Sequence, residues 1–150
     1  MSYRPSFRKF TISRIGNPKS PWDGLRRMFS RSFGAKSFTD FWRYWNPVYH
    51  YFLSYWVYRP LRKLVPRPIA VVLSFVFCGF FFHDLILLPF THIPIITIWF
   101  LLLGVGVIIS ETLHMDLSNQ SQSLRITVNI TYLFGLFEVA RRITLGIFLI

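Results

Sequence analysis

From Ile69 onward the sequence is dominated by apolar runs that a water-soluble core of 150 residues could not hide. Backbone amides in lipid must pair within their own segment, so runs of this length have to be helices that cross the membrane. The first candidate is Ile69–Phe90, about 22 residues, enough to cross with some tilt. After Pro89 and a short Thr91-His92 link, Ile93–Ile109 gives a cleaner second span, with Gly104 and Gly106 near its far end. Ser110–Ser123 is polar and reads as a loop containing Glu111, His114 and Asp116. Residues 125–150 read as a third span or a broken pair of half-spans, because Asn129, Glu138, Arg141 and Arg142 interrupt them. Glu138 has the spacing for a helix-face ion pair with Arg141 or Arg142. Hydrophobic residues at 53% and aromatics at 19% point the same way, since both exceed what a soluble domain carries. The expected fold is all-α: a polytopic, integral membrane protein with about three transmembrane helices.

The charge is placed as unevenly as the hydrophobicity. Fourteen of the 17 Lys and Arg lie in residues 1–68 against only Asp23 and Asp40, so that half carries +12 of the net +11 and the remainder is slightly negative. Because the basic half leads directly into the spans, and its arginines are interleaved with Phe, Trp and Tyr, an anionic membrane surface is the expected partner rather than nucleic acid. Positive-inside counting puts residues 1–68 in the cytoplasm, with the inner membrane as the location if the chain is bacterial. The first apolar run starts near residue 69, too late for a cleaved leader, so none is expected.

Within the basic half, residues 1–19 carry Pro5, Gly16 and Pro18 with no sustained period, and read as a solvated arm. Residues 20–68 read as interfacial helices. Ser20-Pro21-Trp22-Asp23 combines a cap, a proline suited to the first helical position and an acid at the N-terminus. Trp22, Leu25, Phe29 and Phe33 then follow helical spacing to Gly34, giving an amphipathic helix of about twelve residues, too short to span. Ser37 with Asp40 opens a second, aromatic segment. Asn46-Pro47 resets the chain, and a third helix is expected from Pro47 to about Tyr58, where Pro60 kinks or stops it.

Few side chains here are suited to chemistry. His83 and Asp84 lie deep in apolar sequence, an expensive placement that implies a protein-facing or water-filled environment. An imidazole there could take a proton from a hydroxyl, or it could simply bond a neighbouring helix. On a regular helix Asp84 points roughly 100° away, so it is not assumed to orient His83. Asn46 suits a helix cap, but its carboxamide could also orient a substrate carbonyl or the imidazole; His50 is either a surface anchor or part of the same site. The four histidines show none of the short spacings of a zinc site, and Cys78 is isolated, so no metal and no resident cofactor are expected.

Taken together, Phe41-Trp42-Arg43-Tyr44-Trp45-Asn46-Pro47-Val48-x-His50, then Val57-Tyr58-Arg59-Pro60-Leu61, then an apolar run ending Phe82-His83-Asp84, resemble the membrane-bound O-acyltransferase family across roughly residues 20–90. The Phe-Trp-x-x-Trp-Asn-x-x-x-His pattern is most similar to the branch that acylates sterols and diacylglycerol, and Val-Tyr-x-Pro-Leu to bacterial members that modify envelope polymers. The resemblance implies transfer of an acyl group from a thioester, acyl-CoA or an acylated carrier protein, to a hydroxyl of a lipid or envelope polymer. It aligns His83 with the family's membrane-embedded histidine and Asn46 with its second signature residue, as catalytic groups. Trp42, Trp45, His50 and Asp84 fall beside them as substrate-binding residues. Family members typically have many more spans, so the expected forms are a minimal enzyme, a subunit completed by a second copy or a partner membrane protein, or a non-enzymatic relative. The last would use its basic aromatic face to bind anionic lipid or another membrane protein.

Overall fold

The computed structural model describes residues 4–86 and 94–148, and among these every regular element is helical. Two elements are long and apolar enough to cross a membrane. The first runs Arg67–Asp84 and is built from α5 (Arg67–Gly79) continued by a π-helical turn, Phe80–Asp84; the second is α6 (Ile95–Thr112). The expected continuation of the first span to Phe90, and the Thr91-His92 link, lie outside the described residues. Residues 122 onward form one unbroken helix, α7 (Gln122–Phe148), rather than two half-spans. Of the polar residues expected to break α7, Glu138, Arg141 and Arg142 are paired along the helix itself. Glu138 binds Arg141 at 2.7 Å and Arg142 at 2.8 Å, and Thr144 bonds back to the Ala140 carbonyl.

α5 and α6 pack antiparallel, and two glycines set how closely. A Cβ on Gly79 would lie 2.9 Å from the Phe100 Cβ and 2.9 Å from the Thr97 Cα, and one on Gly104 would lie 3.1 Å from the Phe75 Cβ. Only hydrogen at these positions lets the two backbones approach, the usual basis of close helix contact in lipid, where no hydrophobic force draws helices together. α7 packs on the opposite side of α6, with Trp99 donating to the Leu133 carbonyl at 3.0 Å.

The basic half folds onto one end of these helices. Residues expected to be a solvated arm form α1 (Phe7–Ile15) instead. Ser6 caps it, and Phe10 and Ile15 are buried. The missed signal is aromatic rather than periodic: Phe10 meets Tyr51 edge-on at 5.3 Å and His50 at 5.4 Å. α2 (Pro21–Phe33) and α3 (Phe38–Tyr44) start where their caps predict, with Ser20 accepting from the Asp23 N–H and Ser37 from the Asp40 N–H. Asn129 on α7 ties this layer down by donating to the Phe33 and Ala35 carbonyls at 2.9 and 3.1 Å.

α4 (Pro47–Phe52) widens into a π-helical stretch, Leu53–Tyr58, before a last turn at Arg59–Leu61. Pro60 sits just beyond the widened turn; it offers no N–H and crowds the preceding turn, a recognised cause of local departure from α geometry. Phe41, fully buried, lies at the junction of both layers with Ala35, Cys78, Phe100, Leu103, Tyr132 and Leu133.

Candidate active site

The two π-helical turns flank a cavity, and such turns are frequent at functional sites because the extra residue re-aims the side chains around it. The cavity, about 680 Å³, is bounded by α3 and α4 on one side and by α5 and α6 on the other. Asn46 and His83 both line it, together with Trp42, Trp45, Tyr49 and His50. A second, open groove of about 1090 Å³ adjoins it, and Tyr49 and Leu53 line both. The groove is almost wholly apolar, walled by Phe52, Trp56, Leu73, Phe77, Phe81 and their neighbours.

His83 is half-buried, and its ring lies 5.3 Å from that of Phe100 and 6.3 Å, edge-on, from that of Tyr49 between centroids. Among the described residues its imidazole has no hydrogen-bond partner. Asp84, its neighbour, points elsewhere. It is 1% exposed, does not line the cavity, and accepts from the Ile96 N–H at 3.2 Å and the Thr97 N–H at 2.6 Å. The carboxylate thus caps the otherwise unpaired first turn of α6 and neutralises its positive end. Asp84, expected to bind substrate, is thus not brought to the cavity with the other candidate residues; its carboxylate joins the end of the first span to the start of the second.

Asn46 adopts a left-handed conformation, φ 40° and ψ 75°. Asparagine tolerates this region better than most residues, and the twist turns the chain from α3 into α4. Its Oδ1 accepts from the Tyr49 N–H at 3.3 Å, which caps α4 and leaves the amide NH₂ as the group able to donate into the cavity. Cap and site residue are therefore compatible readings of the same side chain.

His50 is a half-buried member of the cavity wall rather than a surface anchor. Its Nδ1 lies 2.9 Å from the Trp42 carbonyl, so Nδ1 carries the proton and donates. Trp42 in turn donates from Nε1 to the Tyr132 hydroxyl at 3.4 Å, and Tyr132 donates to the Leu103 carbonyl at 2.5 Å. This chain of bonds runs from α4 through α3 to α7 and α6, holding the wall rigid. Burial, followed by the charges of Arg14 and Arg43, outweighs the bond to Trp42 and pushes His50 down to about 4.

That depression has a thermodynamic consequence. The folded chain keeps His50 neutral while the unfolded chain protonates it near pH 6.5, so the neutral ring's full contribution is present above pH 6.5. As pH falls from 6.5 towards 4, stability is expected to drop by about 3 kcal/mol. Thermal unfolding of purified protein across that window measures it. His50→Gln, which cannot charge, should flatten the slope there.

The cavity's polar end contains groups that sequence reasoning did not single out. Glu111, expected in a loop, occupies the last turns of α6, where it receives a two-pronged bond from Arg67 at 2.6 and 2.8 Å and a third from Thr39 at 2.7 Å. One carboxylate thereby fastens the start of α5, the end of α6 and α3. No local spacing reveals a pairing across 44 residues. Arg14 and Arg43 also line this end of the cavity.

Comparison with known proteins agrees with this architecture. The model of MBOAT, the membrane-bound O-acyltransferase family, matches residues 6–138. The chain belongs to that family. Diacylglycerol O-acyltransferase 1 of Arabidopsis thaliana is 33% identical over 63 residues, which is 41% of this chain and 12% of that protein. The MBOAT chain described here thus matches only a small part of that curated relative's length. No solved structure matches it.

Proposed function

We propose that this MBOAT chain transfers an acyl group from a thioester donor to a hydroxyl acceptor in the membrane, with His83 as general base. The observation that carries the reading is one cavity shared by an imidazole and a carboxamide NH₂ that, among the described residues, have no hydrogen-bond partner. His83 takes the proton of the acceptor hydroxyl, and the oxygen attacks the thioester carbonyl. The Asn46 amide donates to the oxygen on which negative charge develops. Collapse of the tetrahedral species breaks the carbon–sulfur bond, and the proton held by His83 passes to the departing thiolate. The apolar groove beyond Tyr49 and Leu53 takes the acyl chain, and its scarcity of polar groups suits a hydrocarbon. A diacylglycerol-like lipid alcohol is the favoured acceptor, given the named activity of the Arabidopsis relative. The basic layer faces the cytoplasm, where soluble thioesters are found.

The test is reconstitution of the full chain in liposomes with a labelled acyl thioester and a lipid alcohol. One ester formed per thiol released is expected; thiol release without ester, or neither, contradicts the reading. A second reading, a non-enzymatic protein that organises anionic lipid, is favoured by α2, which exposes Trp22 (80%), Leu25 and Phe29 beside Arg26, Arg27 and Arg31. It predicts that reversing those three charges removes function while His83→Ala leaves function intact.

A further inference from the structure

The π-helical stretch Leu53–Tyr58 stands between the two spaces. Leu53 lines both, Ser54 and Tyr58 line the cavity, and Trp56 and Val57 line the apolar groove. None of its six residues is buried, so core packing alone does not account for a backbone geometry that is rare and usually confined to a single turn.

A hold is present outside the core, in the segment that leads into α1. Arg4 donates from Nε to the Tyr51 hydroxyl at 2.9 Å, and that hydroxyl donates to the Pro5 carbonyl at 3.2 Å. The Arg4 guanidinium lies 5.0 Å from the centroid of the Tyr51 ring, 5.1 Å from that of Tyr55 and 5.5 Å from that of Trp56, all within cation–π range. Phe7 meets Tyr51 edge-on at 5.4 Å, and Phe10 meets Tyr55 edge-on at 6.2 Å. Among the described residues Arg4 has no carboxylate partner, so its charge is spent on these rings. Trp56 is the member of the set that reaches the groove. It is 65% exposed, and among the described residues its indole stacks on no other ring, which leaves Arg4 as the group that restrains it.

We infer that Arg4 is a positioning residue for the groove: it latches the π-helical stretch, fixes the Trp56 indole as part of the groove wall, and thereby sets which acyl chain lengths are preferred. The inference rests on the acyltransferase reading for the identity of the occupant as an acyl chain. Each methylene gains by leaving water for an apolar wall, and a long chain covers more of that wall than a short one. Releasing Trp56 therefore costs long chains more than short ones.

The experiment measures binding of octyl, dodecyl and hexadecyl thioethers of coenzyme A to the full chain in phosphatidylcholine nanodiscs, with hydrogen exchange of residues 53–58 followed on the same samples. Arg4→Gln is expected to lower the preference for hexadecyl over octyl about fivefold, the size of one cation–π contact, and to speed exchange in the stretch. Arg4→Lys, which keeps a cation over the rings, should recover part of the preference. Arg8→Gln, an exposed change on α1, should leave preference and exchange as they were. Trp56→Ala should reproduce the loss, and combining it with Arg4→Gln should add little, since the two act as one unit. An unchanged preference in Arg4→Gln, an equal loss of affinity at all three lengths, or an unsubstituted chain with no length preference overturns the inference. Turnover is assayed separately: a length preference that depends on Arg4 in a chain that forms no ester would sink the acyltransferase reading and leave the latch standing.

Discussion

His83→Ala is expected to lower acyl transfer by ~10²–10⁴-fold, the range general-base catalysis usually supplies. The substitution removes a ring that contacts Tyr49 and Phe100 but bonds to nothing among the described residues, so insertion and helix content should survive. Turnover in liposomes and thermal unfolding in detergent, measured on the same preparations, separate chemistry from packing. A large loss of turnover with a small shift in unfolding is the expected pair. Loss of both in proportion would make His83 a packing residue, and full activity would remove it from the mechanism.

Gly79→Ala should have the largest effect on the scaffold. Its new Cβ would meet backbone as well as side chain, at 2.9 Å from the Thr97 Cα and 3.0 Å from the Ile96 carbonyl oxygen. Neither can yield without moving α6. Overpacking of this kind costs about 1–3 kcal/mol, enough to lower the unfolding temperature clearly. Turnover should fall further than stability alone explains. His83 lies one turn beyond Gly79 on the same span, and displacing a reacting group by even an ångström can cost about 10²-fold. Gly135→Ala and Gly146→Ala are the matched controls. A Cβ at either meets nothing within 4 Å, and alanine favours helix by about 1 kcal/mol, so both should be neutral or slightly stabilising.

These two residues also mark what the sequence could and could not convey. Apolar run length located both described spans, and the Ser-x-x-Asp caps at Ser20 and Ser37 located α2 and α3, because capping and hydrophobic spacing are local signals. Asn46 was legible as a break before Pro47, though not its left-handed twist. What stayed hidden depends on contacts distant in sequence. α1 lacks a clear apolar stripe and folds because Phe10 meets aromatic rings some 40 residues away. Asp84 reads in the sequence as a substrate-binding neighbour of His83, yet its bonds go to amides 12 and 13 residues on. Glu111 looked like a loop residue because a charge ends an apolar run, whereas Arg67 and Thr39 hold it at the end of the second span. The Thr39–Glu111–Arg67 cluster lining the cavity is assembled by such long-range pairs, so its residues could be counted in the sequence but not placed.

The central claim is that His83 and Asn46 act on one reacting group in one cavity. A double-mutant cycle on turnover tests it most directly, with His83→Ala, Asn46→Ala and the combined variant assayed under single-turnover conditions with a labelled thioester. Groups that work as a unit are strongly non-additive. The account predicts that the double variant is scarcely slower than His83→Ala alone, whereas losses that simply multiply would contradict it.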